Sequence, residues 1–378
     1  MKSIFKYTLA AILALAICLS LCACYEVSIG GINIDGIDLG GDRDDHHGDD
    51  GDKEVHKVAE GDLEIHFLEL GNKYTGDCTY IKAGDKDILI DAGSRASSVS
   101  TINDYISKYV TDGTLEYVIV THAHQDHYAG FATTEKQTSL FDLFKCEVII
   151  DFAQVTAERV GKTQYNHYLR ERDAEIAEGA VHYTADQAVA TNGGVFELGN
   201  GISFTVLDSY FYYNRSTNEN DHSVCILLED GANSYLFTGD LETEGEEKLI
   251  EMNDLPKVKL YKAGHHGSKT SSSEALLRVI QPEIVTVCCC CGSSEYTDIN
   301  ENQFPTQQFI NRVAVYTDAV YVTTLCVDYQ NGEFTSMNGN ITVISKKGSV
   351  SLEFSGNSKK LKESKWFKEN RIVPNEWK

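Results

Sequence analysis

Residues 116–127 constrain the fold more than any other stretch, because a short apolar run leads directly into four side chains that can bind metal. The run at 117–120 is apolar and rich in β-branched residues, which is typical of a strand buried inside a sheet. The side chains that follow within six positions are His122, His124, Asp126 and His127. Residues two apart in an extended segment point the same way, so we expect the first two histidines to bind one ion and the other pair a second. Imidazole and carboxylate together suit zinc, and also manganese or iron.

A strand and a helix are predicted before this motif. The apolar strand at 87–90 ends at Asp91, and helical spacing runs through 98–110. Because ligands in such folds lie on the loops after the strands, we expect the site at one edge of a sheet. Asp91 would then be a carboxylate that supports the histidine loop from behind. The alternative for Asp91 is a simple turn residue before Gly93.

The second half of the chain supplies further candidate ligands. Apolar strands are predicted at 223–228, 234–238 and 258–263. The metal-capable residues beside their ends are His222, Asp240, and the adjacent pair His265 and His266. Three strands that each place a histidine or an aspartate at the same end indicate that these residues share one site with the first motif.

The segment after these two histidines has features of an anion contact. Ser271 and Glu274 have the spacing of a capping box ahead of a helix predicted at 275–280. The N-terminus of that helix would face the metal site and favour an anion. Ser268 and Lys269 would add phosphate or carboxylate contacts there, with ordinary surface roles as the alternative.

Four consecutive cysteines stand at 288–291. On a strand their side chains alternate between the two faces, so they cannot all surround one ion, and zinc sites use spaced pairs. We therefore predict that they are small buried side chains of a core strand at 284–291.

The N-terminal residues predict export. Residues 1–24 begin with two lysines ahead of an apolar stretch that is typical of a signal and too short for a convincing membrane span. The end of this stretch, 21–24, resembles a bacterial lipobox. It predicts lipidation of Cys24 and anchoring to the outer face of the cytoplasmic membrane, with secretion as the alternative. Residues 25–57 are rich in Gly and Asp and predict a solvated acidic linker.

The formal net charge of −24 limits the substrates. A strongly acidic surface repels nucleic-acid phosphates, which argues against tight binding of long nucleic acids and is more compatible with small phosphoesters. The sequence identifies no obligate protein partner.

Residues from about 62 to 348 resemble the metallo-β-lactamase domain of ComEC-type competence proteins. The matching stretches are 63–71, 76–78, 89–93, the motif that begins at His122, 237–240, 264–268 and 338–343. The resemblance implies an α/β fold, the αββα four-layer metallo-β-lactamase sandwich, over residues 58–356. The chain departs from the family in an inserted turn at 72–75, in His222 where relatives usually have asparagine, and in Phe304 where a histidine commonly precedes the proline. The lysine-rich residues 357–378 look like a basic C-terminal tail that serves as a docking or surface segment.

The same resemblance implies two divalent metal ions, zinc first and manganese or iron as alternatives. The implied ligands are His122, His124 and His222 for one ion, and Asp126, His127 and His265 for the other, with Asp240 bridging. A metal-bridging hydroxide would attack phosphorus or a carbonyl, with Asp126 orienting this nucleophile. His266 would either replace His265 as the ligand or donate a proton to the leaving group.

By analogy with these relatives we expect a phosphodiesterase or nuclease-like hydrolase whose substrate is a small phosphoester or a nucleic acid. A second hypothesis is a lactone, thioester or β-lactam hydrolase that uses the same metals. A third is a surface lipoprotein that has kept the fold as a non-catalytic binding module.

Overall fold

The computed structural model describes residues 58–59 and 61–378, which belong to one compact unit. The predicted signal segment 1–24, the lipidation site Cys24 and the linker 25–57 lie outside the described residues and stay predictions. In the described part of the chain, no helix is both long and apolar enough to cross a lipid bilayer.

Two eight-stranded sheets form the centre of the fold. The strands are β1 (Leu63–Phe67), β2 (Thr79–Ala83), β3 (Lys86–Ile90), β4 (Thr114–Ile119), β5 (Lys145–Asp151), β6 (Val181–Thr184), β7 (Val195–Gly199), β8 (Ile202–Val206), β9 (Ile226–Glu229), β10 (Ser234–Phe237), β11 (Leu260–Lys262), β12 (Ile284–Cys291), β13 (Val320–Asp328), β14 (Glu333–Ser336), β15 (Ile341–Lys346) and β16 (Ser349–Phe354). The first sheet has the order β16-β15-β1-β2-β3-β4-β5-β6, and the second has the order β14-β13-β12-β11-β10-β9-β8-β7.

Helices lie in the connections between these strands, and one more follows β16. They are α1 (Ser98–Ile106), α2 (Gln125–Tyr128), α3 (Leu140–Leu143), α4 (Thr163–Glu178), α5 (Ala185–Ala190), α6 (Tyr210–Tyr213), α7 (Thr243–Met252), α8 (Glu274–Ile280), α9 (Gln307–Ala314) and α10 (Lys365–Asn370). The helix predicted at 98–110 corresponds to α1 and ends four residues earlier.

The largest core lies between the two sheets, draws side chains from both, and continues to residues of helices α1 and α4. Across this layer the ring centroids of Phe67 on β1 and Phe237 on β10 are 6.2 Å apart. The neighbour Leu236 points to the opposite face of its strand, as strand geometry requires, and joins a second core with Leu249 of α7 and Leu277 of α8. The order helix, sheet, sheet, helix is the predicted αββα sandwich, which the structure confirms.

Both sheets contain a run of parallel strands whose C-terminal ends meet at one edge. β3 to β6 are parallel in the first sheet, and β10 to β13 are parallel in the second. The loops after β3 and β4 carry Asp91 and the histidine motif, and those after β10 and β11 carry Asp240 and the two adjacent histidines. Parallel topology therefore places the candidate ligands at the edge where such sheets bind ligands.

The four cysteines lie on β12 and are buried and free. Cys288 belongs to the core between the sheets, whereas Cys289 and Cys291 belong to the second core. Their side chains therefore alternate between the faces of the strand, as predicted. Among the described residues, no converging group of metal-capable side chains includes them.

The C-terminal residues 357–378 are packed into the domain, so the expectation of a docking or surface segment was wrong. Leu361, Phe367 and Trp377 are at most 6% exposed and belong to the second core. The lysine-rich composition concealed these three apolar side chains, which are spread along the segment between exposed charges.

Arg371 ties this segment to the loop that precedes α9. Its guanidinium donates hydrogen bonds to the backbone oxygens of Asn300 (3.1 Å), Gln303 (2.8 Å) and Pro305 (3.1 Å). The arginine is 8% exposed, so these bonds are shielded from water. The end of the chain therefore holds one of the loops beside the candidate site.

Candidate metal centre

Strand β4 delivers the histidine motif to the sheet edge. Pairing with β5 continues to Val120, whose N–H donates to the carbonyl of Ile150 (2.9 Å). The chain then turns, and α2 begins after His124 with extended backbone at that residue. His122 and His127 are completely buried at the two ends of this turn.

Asp91 orients His127 from the neighbouring loop. Its Oδ2 lies 2.8 Å from His127 Nδ1, and Thr121 donates to the same carboxylate through its N–H and its hydroxyl, each at 2.8 Å. When Nδ1–H donates to a carboxylate, Nε2 keeps its lone pair for a metal. That Nε2 lies 3.2 Å from Oδ2 of Asp240.

A 3₁₀ turn after β11, Gly264–Gly267, carries the two adjacent histidines, both with positive φ. The second of them, His266, is buried, and its Nδ1–H donates to the carbonyl of Cys288 (2.9 Å). Its Nε2 lies 3.3 Å from Oδ2 of Asp126 and 3.3 Å from Oδ2 of Asp240. This contact joins ligand loops of the two sheets.

Four side chains therefore converge, each placing one ligand atom within 4.8 Å of the others. They are Asp126, His127, Asp240 and His266. Asp240 is the central member, because its Oδ2 lies within 4.0 Å of four imidazole nitrogens. Those nitrogens belong to His127 (3.2 Å), His266 (3.3 Å), His265 (3.9 Å) and His122 (4.0 Å).

The cluster has the properties of a cation site. His127 Nε2, His266 Nε2 and Asp240 Oδ1 are buried and have no hydrogen-bond partner among the described residues. A buried polar atom without a partner costs about 1–3 kcal/mol, and native structures contain few of them. A divalent ion would satisfy all three atoms, and the mixed imidazole and carboxylate donors suit zinc or manganese. The residues present therefore fit a metal.

His122 and His124 form a pair beside this cluster. Nε2 of His122 lies 2.9 Å from Nδ1 of His124, and the pair meets the cluster where His122 approaches Asp240. At this distance one imidazole donates a hydrogen bond to the other, and the two nitrogens are close enough together for one ion to replace the shared proton. The structure thus brings together two neighbouring groups of donors with Asp240 between them.

The charges of the cluster act on one another. Burial alone would lower the pKa of His127, but the Asp240 and Asp91 carboxylates hold that pKa well above its ordinary value. Burial would raise the pKa of Asp240, but the imidazoles of His127 and His266 hold it well below the ordinary value. Burial, followed by the neighbouring His127, keeps the pKa of His122 well below its ordinary value. His122 is therefore neutral and Asp240 ionised, which are the forms that bind metal, whereas His127 would have to release a proton when an ion binds.

The sequence predicts His265 as a ligand, whereas the structure places His266 in the cluster. His265 turns outward: its Nδ1 lies 3.1 Å from Glu242 Oε1 and 3.3 Å from the hydroxyl of Thr270. The side chain of His265 is 21% exposed, against 1% for His266. This position favours His266 over His265 as the ligand, and the alternative role of His266 as a proton donor to the leaving group stays a prediction.

The sequence also predicts His222 as a ligand, whereas the structure turns its ring away from the cluster. Its Nε2 accepts a hydrogen bond from the N–H of Ser216 (3.3 Å), and its Nδ1 lies 3.8 Å from Glu219 Oε1. Neither of the converging metal-capable groups in the described residues includes it. The Nε2 lone pair of His222 therefore accepts a hydrogen bond within its own loop and is not directed at the cluster.

The residues predicted to contact an anion, Ser268 and Lys269, form hydrogen bonds with other side chains. The hydroxyl of Ser268 is 2.9 Å from that of Thr270, and Nζ of Lys269 donates to Asn302 (2.9 Å). The cap of α8 is Ser273, whose hydroxyl accepts from a backbone N–H in the first turn, so the capping box predicted from Ser271 is absent. The hydroxyl of Ser271 instead donates back to the carbonyl of the first glycine of the 3₁₀ turn.

Sequence reasoning missed a buried ion pair behind the cluster, between Asp77 and Lys262. Oδ1 of Asp77 lies 3.3 Å from His266 Nδ1, and Oδ2 lies 3.7 Å from His127 Nδ1. This carboxylate therefore faces the outer nitrogens of two cluster imidazoles. The available signal was Lys262 itself, because a lysine within an apolar strand needs a buried partner.

A cavity of about 360 Å³ opens beside the cluster. Its lining consists of Arg95, His124, Gln125, Asp126, Arg159, Asp240, His265, Glu295 and Tyr296. The hydroxyl of Tyr296 donates to Oδ2 of Asp126 (2.7 Å). The neighbouring Glu295 accepts from Arg95 (2.6 Å) and from the N–H of Thr75 (2.8 Å) in the inserted turn. The insertion therefore helps to build the cavity wall.

Comparison with sequence models of protein families agrees with the resemblance found in the motifs. The sequence model of the Metallo-beta-lactamase superfamily matches residues 71–138 and 214–291, which contain the histidine motif, Asp240 and the two adjacent histidines. Among solved structures, the metallo-beta-lactamase fold protein YhfI from Bacillus subtilis matches with a TM-score of 0.39 and 12% identity, over 73% of this chain and 100% of that chain.

Curated relatives are competence and recombination proteins. The chain is 29% identical over 252 residues to Recombination protein 2 of Haemophilus influenzae, which covers 66% of this chain and 26% of that protein. It is 27% identical over 175 residues to ComE operon protein 3 of Bacillus subtilis, covering 46% and 20%. It is 25% identical over 237 residues to Competence protein ComA of Neisseria gonorrhoeae, covering 62% and 28%. The chain thus spans roughly a quarter of the length of these relatives, and the resemblance identified from the motifs is confirmed.

Proposed function

We propose that this chain, which resembles the metallo-beta-lactamase superfamily in sequence and fold, is a metal-dependent hydrolase that cleaves small phosphodiesters at a two-metal centre. The observation that carries the proposal is the convergence of unpartnered, buried ligand atoms of His127, Asp240 and His266 beside an open cavity. Such a cluster at the rim of a concave site is the arrangement that metal-assisted hydrolysis requires.

The chain supplies two sets of ligands in this proposal. One ion would be held by Asp126, His127, His266 and Asp240, and the other by the pair His122 and His124 with Asp240. When bound, the two ions polarise the phosphoryl group and lower the pKa of a water molecule.

The remaining roles belong to side chains around the ligands. Asp91 and Asp77 face the outer nitrogens of the imidazoles and keep the inner nitrogens directed at the cluster. Asp126 lies at the cavity and would orient the attacking water. Tyr296, whose hydroxyl donates to Asp126, would hold this carboxylate in its orientation.

Size and charge support a small phosphodiester as the substrate. A volume of about 360 Å³ is near the lower end of the range for small-molecule sites. The net charge of −24 disfavours long polyanions. A relative named for recombination favours a substrate derived from nucleic acid over a lactone or a β-lactam.

The test is metal content combined with hydrolysis of bis(p-nitrophenyl) phosphate by the purified protein with added zinc or manganese. We expect about two metals per chain and turnover that a chelator removes. The variants His124→Ala and Asp240→Ala should lose bound metal and turnover. Asp104→Asn, an exposed change on α1, is the control and should match the unmodified chain. Two bound metals without phosphodiester turnover would redirect the search to lactone, thioester and β-lactam substrates. A chain that binds no metal would be a binding module and would contradict the proposal.

We also propose that the protein is exported and lipid-anchored at Cys24. The support is the lipobox-like sequence at 21–24. Cells that express the chain are fed a labelled fatty acid. The chain with Cys24 should carry the label, and the Cys24→Ser variant should carry none. Equal label on both would overturn the anchor.

A further inference from the structure

Two arginines line the cavity, and they differ in what neutralises them. Arg95 lies 2.6 Å from the Glu295 carboxylate, and its guanidinium stacks over the ring of Tyr74 at 4.1 Å. Arg159 makes no ion pair within the described part of the chain, and its Nε is buried without a hydrogen-bond partner there. A cation with an unused, buried donor beside a metal cluster is a candidate ligand-binding group.

The turn that carries Arg159 is fastened to the histidine loop. It follows β5, and the N–H of Arg159 donates to the carbonyl of Thr156 (3.0 Å). Thr156 donates through its N–H (2.8 Å) and its hydroxyl (2.6 Å) to Glu219. The same carboxylate accepts from the N–H of Ala123, between the two paired histidines (3.3 Å). A single buried glutamate therefore fixes the arginine turn relative to the metal ligands.

The charge of Arg159 reaches the metal ligands. Burial is the main cause that lowers the pKa of His124. The negative charge of Asp126 opposes this shift, and the positive charge of Arg159 adds to it. This agrees with the placement of Arg159 and His124 on the wall of the same cavity.

We infer that Arg159 is the anion-binding residue of this cavity and that it binds a phosphate oxygen of the substrate. A guanidinium presents its donors in a planar fork that matches the oxygens of a phosphate group. The choice of phosphate rests on the proposed phosphodiesterase function, whereas the anion subsite itself rests only on the geometry around Arg159.

The first test is equilibrium binding of inorganic phosphate to the zinc-loaded full chain, measured by calorimetry. Charged hydrogen bonds of this kind contribute enough that Arg159→Gln should raise the dissociation constant about 10- to 100-fold. The dissociation constant of Arg159→Lys should fall between those of Arg159→Gln and the unmodified chain, because an ammonium keeps the charge but lacks the planar set of donors. Arg278→Gln changes an exposed arginine on α8 outside the cavity and should bind phosphate like the unmodified chain. Equal constants for Arg159→Gln and the unmodified chain, at equal zinc content and equal melting temperature, would overturn the inference.

The second test separates this inference from the proposed function. With bis(p-nitrophenyl) phosphate as substrate, Arg159→Gln should raise KM by a factor similar to that for phosphate binding and change kcat less. If the unmodified chain cleaves no phosphodiester but its phosphate binding depends on Arg159, the function fails and the subsite stands. If the chain cleaves phosphodiesters and Arg159→Gln leaves both KM and phosphate binding unchanged, the function stands and the subsite fails. A higher KM for benzylpenicillin in Arg159→Gln, with phosphate binding unchanged, would assign the subsite to a carboxylate and overturn the phosphate assignment.

Discussion

Asp91 and His127 are joined by a 2.8 Å hydrogen bond between Oδ2 and Nδ1, and the same carboxylate also accepts two hydrogen bonds from Thr121. Three donors therefore converge on one carboxylate that lies behind the metal cluster. The carboxylate fixes both the orientation and the tautomer of the imidazole, so its effect should appear in metal affinity.

We expect Asp91→Asn to lower zinc affinity about 10- to 100-fold, because an amide has one acceptor oxygen where three donors require a carboxylate. The measurement is a zinc titration against a competing chelator. Asp104→Asn on the surface of α1 is the matched control. Unchanged affinity in Asp91→Asn would show that the hydrogen bond is irrelevant to metal binding.

The adjacent histidines 265 and 266 give a paired experiment. His266→Ala should lose about one metal per chain and most of the hydrolytic activity, because its Nε2 lies between Asp126 and Asp240. His265→Ala should keep its metals, since the nearest partner of its Nδ1 is Glu242. Metal analysis of both purified variants decides the point. The reverse pattern would restore the sequence-based assignment of His265.

Gly93 packs directly on the backbone of the histidine loop. A Cβ at this position would lie 1.5 Å from the carbonyl oxygen of Asp126, which cannot move without moving the ligand loop. We expect Gly93→Ala to cost about 3 kcal/mol or more of unfolding free energy and to reduce zinc content. Gly84→Ala is the control, because a Cβ at Gly84 meets no atom within 4 Å. Only the positive φ of this residue is unfavourable for alanine, which should cost about 1 kcal/mol of unfolding free energy. Urea unfolding should separate the two, and equal losses would contradict the proposed contact.

Asp87 should make stability depend on pH. Burial raises its pKa to about 6 from 3.8, although hydrogen bonds from Lys82 and Tyr80 oppose the shift. The folded chain therefore holds this proton more tightly than the unfolded chain. The resulting stabilisation is complete below about pH 4 and is lost as the pH rises through about 6.

The difference in unfolding free energy between the unmodified chain and Asp87→Asn should thus fall by about 3 kcal/mol between about pH 4 and about pH 7. Urea unfolding across this range measures it. Asp85→Asn, which changes an exposed carboxylate on the same hairpin, is the matched control. A difference for Asp87→Asn that is constant with pH would contradict the assignment.

The ligand loops were predictable because each one directly follows its strand. The apolar run at 117–120 lies within or directly beyond β4, and Asp91, Asp240 and the pair of histidines follow β3, β10 and β11. Strands with a buried face leave an apolar pattern in the sequence. Five strands were not predicted, and exposure accounts for β14, which is exposed throughout, and β16, which is exposed at every second residue. The others are β6 and β7, which are mostly half-buried or exposed, and β13, which was missed although its first five residues are buried.

Which histidine enters the cluster was not predictable from neighbouring residues. His266 turns inward because the carbonyl of Cys288, twenty-two positions away, accepts its Nδ1–H. His222 turns aside because Ser216 and Glu219 in its own loop contact its nitrogens. In both cases the deciding contact is set by the folded backbone and leaves no periodic trace in the sequence.

The bonds from Arg371 to the loop at 300–305 have a consequence for how this scaffold can diversify. The same loop region carries Tyr296, whose ring contacts Phe304 with centroids 5.8 Å apart. Exchange of the final twenty residues would therefore reshape the entrance to the cavity while every candidate metal ligand stayed in place. If the chain is the hydrolase proposed above, its substrate selectivity would thus change through the C-terminal segment without any change in the candidate metal ligands.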